Sequence, residues 1–198
     1  MNKFKALLVC SLIFLIGGCA TSKVYVPEAS SVAQRTGFLS GEEVDLVIYD
    51  GRLDKEASKE LVTRIQQDFQ TAFPSAKLTV VPESEYYKSS APNKITVKIG
   101  ISTYAAAFGS RVSLSIGTFG GAFFYGVVPE GMWNGVTGLS VNVFDRRNKQ
   151  EQKYSMNIGR VISMSNLLGY ATAKQALFQS YNVVINETVS FVENSLMK

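Results

Sequence analysis

The sequence predicts an α+β fold: a two-layer sandwich in which two amphipathic helices pack on one face of a mostly antiparallel sheet. Three patterns carry that expectation. The folded part opens strand–helix–strand, continues as a run of alternating strands, and ends in a long helical repeat. "VDLVIYD" at Val44–Asp50 is a short apolar run bounded by acids and reads as a strand. Asp50 and Gly51 mark a turn, and Asp54 is a candidate N-cap. Ala57, Leu61, Ile65, Phe69 and Ala72/Phe73 then recur at spacings of three and four, an amphipathic helix stopped by Pro74. Leu78 and Val80 begin a second strand, closed by Pro82.

The clearest alternation is "KITVKIGIS", with Ile95, Val97, Ile99 and Ile101 on one side and Thr96, Lys98, Gly100 and Ser102 on the other. "VSLSIG" repeats it through Val112, Leu114 and Ile116. "GLSVNVFD" places Leu139, Val141 and Val143 together, and "KYSMNIG" does the same with Tyr154, Met156 and Ile158. The polar connector "DRRNKQEQ" has hairpin length, so these last two strands are expected to pair. From about Asn166–Ala171 to Leu196, Ala173, Leu177, Tyr181, Val184, Thr188, Val192 and Leu196 keep helical spacing. Lys174, Asn182, Asn186 and Glu187 interrupt that helix and argue against a membrane span. No repeat or linker divides residues 43–198, which read as one domain. If the helices share the apolar face, the polar face with Thr96, Lys98, Ser102, Ser140, Asn142, Ser155 and Asn157 is left open to solvent.

The chain begins "MNKFKALLVCSLIFLIGGCATSK". Lys3 and Lys5 precede an apolar run from Ala6 to Ile16, too short to cross a bilayer. A charged start, a brief apolar core and small residues form the pattern of a secretory leader, here residues 1–18. "Ile16-Gly17-Gly18-Cys19" resembles the lipobox of bacterial lipoproteins, and the resemblance implies cleavage before Cys19 and a diacylglycerol (palmitate-type) modification of its thiol. Cys10 leaves with the leader, so the mature chain has no free thiol. Ala20 rather than Asp after the cysteine implies, by the same resemblance, sorting to the outer membrane with the domain facing the periplasm. Residues 19–42, small and polar, read as the lipidated cysteine and a tether. About 20 such residues span roughly 25 Å, although Val24, Tyr25 and Val26 can dock as a strand.

Composition narrows the chemistry. The chain has no histidine, which removes the commonest general base and metal ligand. Without a mature thiol, cysteine nucleophiles and cysteine metal sites also go. Ser-x-x-Lys occurs only at Ser195–Lys198. The acids Glu42, Glu43 and Asp45, and Glu83 with Glu85, read as solvated surface. The formal charge is +4, of which Lys3 and Lys5 supply two, leaving no basic field for nucleic acid. Arg146-Arg147-Asn148-Lys149 reads as a charged hairpin tip, with contact to anionic lipid or glycan as the alternative. The expectation is no enzyme, no metal and no cofactor beyond the lipid on Cys19.

The remaining segment is "IGTFGGAFFYGVVPEGMWNG", residues 116–135, where six glycines lie among Phe119, Phe123, Phe124, Tyr125, Met132 and the lone Trp133. Its glycine spacing fits neither a dinucleotide fingerprint nor a phosphate loop. Either these aromatics fold onto the core, or some stay exposed as a contact surface for a protein partner or lipid. Taken with the hairpin pattern "ITVKIGIS … GLSVNVFDRRNKQEQKYSMNIG", the lipobox and element order resemble small Gram-negative envelope lipoproteins whose domain is like the amino-terminal domain of TolB, YajG-type lipoproteins among them. That resemblance implies a non-enzymatic binding or assembly module for an envelope complex, with an envelope protein or another copy as partner. The alternative is a periplasmic carrier or chaperone for a lipid-like ligand, with residues 117–135 as its lid.

Overall fold

The computed structural model describes residues 21–87, 93–108, 111–116, 122–127, 131–148 and 150–197. The leader, Cys19 and Phe119 lie outside the described residues. Among the described residues there are eight strands: β1 (Thr21–Lys23), β2 (Glu43–Asp50), β3 (Lys77–Val80), β4 (Ile95–Phe108), β5 (Arg111–Ile116), β6 (Ala122–Val127), β7 (Met132–Asp145) and β8 (Gln152–Ser165). Helices α1 (Ser58–Ala72), the short α2 (Glu83–Tyr86) and α3 (Tyr170–Leu196) complete the described elements. The main sheet runs β3-β2-β4-β7-β8, with β1 beside the distal part of β4, on the side away from β7. β3, β2 and β4 are parallel, as the β2–α1–β3 crossover requires, and the other pairs are antiparallel. The α+β class is therefore as expected.

The expected β7–β8 hairpin forms and continues well past its predicted length, from Asp145↔Gln152 to Met132↔Ser165. β4 is also longer than its visible alternation. Its pairing with β7 slips by one residue between Ile101 and Thr103, a bulge at Ser102. The slip lets Ile101 and Tyr104, three apart, both be buried, whereas unbroken alternation would turn one of them outward.

Both long helices cover the face formed by Val44, Leu46, Val97, Ile99, Leu139 and Val141. α1 contributes Leu61, Ile65 and Phe69, and α3 contributes Leu177, Val184 and Val189 to the same core. Gly135 on β7 is what allows α3 to sit so close. A Cβ there would fall 2.1 Å from the backbone carbonyl of Ala176 and 2.2 Å from the Leu177 nitrogen. Several polar side chains between these layers are paired, although the buried Tyr104 hydroxyl has no hydrogen-bond partner among the described residues. Thr137 and Ser180 hydroxyls lie 2.8 Å apart, and the buried Asp68 accepts from the Tyr181 hydroxyl at 2.7 Å and from Arg64 at 2.8 Å. Burial, then the Asp68 charge, pushes the Tyr181 hydroxyl well above its ordinary pKa.

Two expectations are corrected. Within the segment expected as a tether, residues 21–42 run along the domain: β1 pairs with β4, and Val32 and Leu39 are core residues. Arg35 fixes the stretch through Glu193 Oε2 at 2.9 Å and through its own backbone nitrogen to Ala72 at 2.7 Å. Nor is the polar sheet face open throughout. Ser155 and Asn157 are exposed, but Thr96, Lys98 and Ser140 are buried. The segment carrying Glu83 and Glu85 forms α2, which brings Tyr86 and Tyr87 to Lys98. Lys98 Nζ donates to the Tyr87 hydroxyl at 2.6 Å and lies 4.3 Å from that ring and 5.1 Å from that of Tyr86.

Candidate functional site

Pairing gathers the functionally suggestive residues at one end of the main sheet. Thr21, Phe108, Trp133 and Met164 form a single row across β1, β4, β7 and β8. At about 4.8 Å per strand the row is about 14 Å wide. Trp133 is only 4% exposed, so the indole belongs to the interior; its Nε1 donates to Asn166 Oδ1 at 3.0 Å. Phe108 and Tyr170 flank the indole with ring centroids 5.1 and 5.7 Å away. Together with Asn166 and Gly169 they line a shallow hollow of about 250 Å³.

The turn from β8 into α3 crosses the same end. It reads Asn166-Leu167-Leu168-Gly169, and it is held in place by Leu167 N donating to Ser165 O at 2.8 Å and Leu168 N to Thr172 Oγ1 at 3.2 Å. Gly169 takes φ 58°, the backbone state that ends the turn and starts α3. This turn leaves Leu167 86% exposed, Leu168 72% and Tyr170 59%. β1 and the residues after it reach over to them: Lys23 Nζ lies 5.4 Å from the Tyr170 ring centre, and the Tyr25 hydroxyl donates to Tyr170 O at 3.4 Å.

Of the candidate contact residues, Trp133 is buried and Met132 half-buried. Phe123, Phe124 and Tyr125 lie on β6, which pairs with β5 as a separate two-stranded sheet, opposite Ser115, Leu114 and Ser113. β5 follows β4 at the Phe108 end, so this hairpin springs from the row described above. Sequence reasoning missed Leu167, Leu168 and Tyr170. They were absorbed into the start of the α3 pattern, although "NLLGY" has two adjacent leucines directly before a glycine, where a polar cap is the rule.

A second hollow, of about 310 Å³, lies between β1 and the turn after β2, lined by Ser22, Val24, Arg52, Leu53, Ser102 and Tyr104. Its buried cation is committed. Arg52 binds Asp50 at 2.9 and 2.7 Å, Tyr104 O at 3.2 Å and Glu56 O at 3.0 Å. Burial pushes the Asp50 carboxyl up, but hydrogen bonds from Arg52 and Ser58 outweigh it and hold the group below the usual carboxylate range. The arrangement is a latch on the β2–α1 turn. Nor are Arg146 and Arg147 of the β7–β8 turn free for an anion. Arg146 bonds Glu151, Thr96 and Tyr86, while Arg147 binds Asp145 at 2.7 Å and the α3 carbonyl of Leu196 at 2.7 Å. Among the described residues no group of three His, Cys, Asp or Glu side chains gathers to hold a metal, and no helix is long and apolar enough to cross a membrane. The direct seating of α3 on Gly135 leaves no gap there for an acyl chain between helix and sheet, which the carrier reading needs.

No protein-family model matches this sequence, and no curated protein matches it significantly. Among solved structures the chain is similar to the hypothetical protein CT253 from Chlamydia trachomatis, at 12% identity over 79% of this chain and 98% of that one, with a TM-score of 0.44. A PelC dodecamer from Paraburkholderia phytofirmans matches at 14% identity over 87% and 98%, TM-score 0.41. Lipoprotein GNA1162 from Neisseria meningitidis matches at 10% over 73% and 99%, TM-score 0.33. The likeness is one of overall architecture, and of these three structures GNA1162 is described as a lipoprotein. At these scores it assigns no family, the TolB-like one included, and carries no weight for partner or role.

Proposed function

We propose that this protein is a non-catalytic lipoprotein, acylated on Cys19 and held at the periplasmic face of the outer membrane, that docks on an envelope protein complex through its β5–β6 hairpin. The observation that carries the reading is the hairpin's separateness. A two-stranded hairpin is marginally stable alone, yet this one stands outside the main sheet with three consecutive aromatics, Phe123, Phe124 and Tyr125. Aromatic residues are enriched at protein interfaces, so a separate hairpin carrying three in a row is suited to binding a partner. The absence of histidine and of a mature thiol supports a role in binding over one in catalysis.

Photo-crosslinking residues placed at Phe123 and Tyr125 in intact cells should each give one discrete protein adduct. Absence of any protein adduct at both positions removes the hairpin as the docking element. The anchor is tested separately: radiolabelled palmitate should enter the wild type and not a Cys19→Ser variant.

A further inference from the structure

We infer that the Trp133 end of the sheet rests on the bilayer, with Leu167, Leu168 and Tyr170 inserted at the lipid surface beside the acyl anchor. The inference rests on the acylation of Cys19 proposed above. It adds a second, protein-borne contact and a fixed orientation of the domain.

The argument starts from chain length. Only Ala20 separates Cys19 from Thr21, and Thr21 is already paired with Phe108 in the main sheet. Two residue steps reach at most about 7 Å, whatever their conformation. An acylated Cys19 therefore has its Cα within about 7 Å of Thr21, the edge member of the Thr21–Phe108–Trp133–Met164 row, and holds the lipid surface beside this end of the sheet. A tether of the expected length would have let the domain hang clear. The observed docking of β1 removes that freedom.

The surface presented at this end suits such a position. Leu167 and Leu168 directly follow the row's β8 member by three and four residues and stand almost fully in solvent. Hydrogen bonds at Ser165 and Thr172 fix their turn, so the two side chains project from a rigid platform. Tyr170 joins them with its ring half-exposed, and Trp133 behind it is hydrogen-bonded through Asn166. Leucine beside tyrosine, backed by a tryptophan and a lysine, is the composition of a membrane-interface contact. Paired exposed leucines on a β-to-α turn are otherwise a liability for a soluble domain. The opposite end has the contrary character. The β7–β8 turn, about 43 Å away along 14-residue strands, carries Arg146, Arg147, Asn148, Gln150 and Glu151. A protein partner covering the leucines is the competing occupant. The closeness of Cys19 favours lipid, because the bilayer reaches this end before any diffusing protein does.

The test uses the full acylated chain in vesicles of phosphatidylethanolamine and phosphatidylglycerol. Since an acylated Cys19 leaves no other thiol, single cysteines at Leu167→Cys, Leu168→Cys and Gln150→Cys can each carry an environment-sensitive NBD dye. The expected result is a blue-shifted emission and quenching by spin-labelled lipid at residues 167 and 168, and neither at residue 150. In parallel, Leu167→Glu/Leu168→Glu should leave acylation and the far-ultraviolet circular dichroism unchanged, while the quenching of a dye at Tyr170→Cys falls several-fold. Dyes at 167 and 168 that behave like the one at 150, on protein whose Cys19 acylation mass spectrometry confirms, overturn the placement and leave the anchor standing. A blue shift at residues 167 and 168 without quenching by spin-labelled lipid, as a second copy covering the leucines would give, overturns it equally. A Cys19 without acyl chains overturns the anchor reading, and the seating falls with it.

Discussion

Replacing Gly135 by alanine isolates the contact on which the two-layer packing depends. The added methyl carbon would lie 2.1 Å from the Ala176 carbonyl carbon and oxygen, on the backbone of α3 where no rotamer can yield. Ordinary carbon contacts start near 3.5 Å, so the helix must lift by about 1.5 Å or β7 must bow by as much. Protein interiors pack at close to crystalline density, and lifting α3 strips contacts from Ala173, Leu177 and Tyr181 at once. Overpacking of this kind costs about 3 kcal/mol. For a domain of this size that lowers Tm by about 6–12 °C. Thermal melts followed by circular dichroism, with urea titration as a check on the free energy, read the effect directly. A Gly135→Ala melt within about 2 °C of the wild type would mean that α3 is not seated on β7 as described.

Two further outcomes are expected. The Asp145 carboxyl is held below the usual range by hydrogen bonds from Arg147, against some burial. A depressed carboxylate pKa stabilises the fold above the unfolded value near 4 and loses that contribution as pH falls through the folded value. Wild-type urea midpoints should therefore fall between about pH 4 and pH 2 by more than those of Arg147→Gln, with the difference at about 1 kcal/mol because Arg147 is partly solvated. Parallel curves would remove the pair from the acid response. Trp133, the lone tryptophan, should show weak acrylamide quenching in the native state and full accessibility in urea; strong native quenching contradicts its burial and its bond to Asn166.

The fold class was legible because apolar residues kept one period over whole elements. α1, α3 and the proximal halves of β4, β7 and β8 all stand where their spacing put them. The tether was misjudged because its apolar residues, Val32 and the Phe38–Leu39 pair, follow no helical or strand period among serines and glycines. What fixes the segment is Arg35 bridging to Glu193, a partner 158 residues away that no local pattern encodes. The buried polar face was misjudged for a related reason. Lys98 and Thr96 look like solvent residues until Tyr86, Tyr87 and Arg146 arrive to bond them. At the candidate site, Trp133 could be picked out as a singular residue, but its depth depended on Asn166 and Tyr170, and those belong to a different element. Leu167 and Leu168 escaped notice because a helical repeat tolerates two adjacent leucines, and only the position of Gly169 shows that the helix has not yet begun.

The extra residue at Ser102 gives β4 something like a reading frame. Its proximal half is set by β2 and its distal half by β1, and the two halves are out of phase with one another by a single position. Losing or gaining one residue elsewhere between 95 and 101 would turn the isoleucines toward the tyrosines of α2. Deleting Ser102 itself would instead restore unbroken alternation, leaving Ile101 opposite Leu139 and Tyr104 opposite Thr137, with Tyr104 still against the ring of Tyr181. Single deletions in this strand are therefore tolerable at the bulge and disruptive within either half, while point changes at its solvent positions remain open to drift.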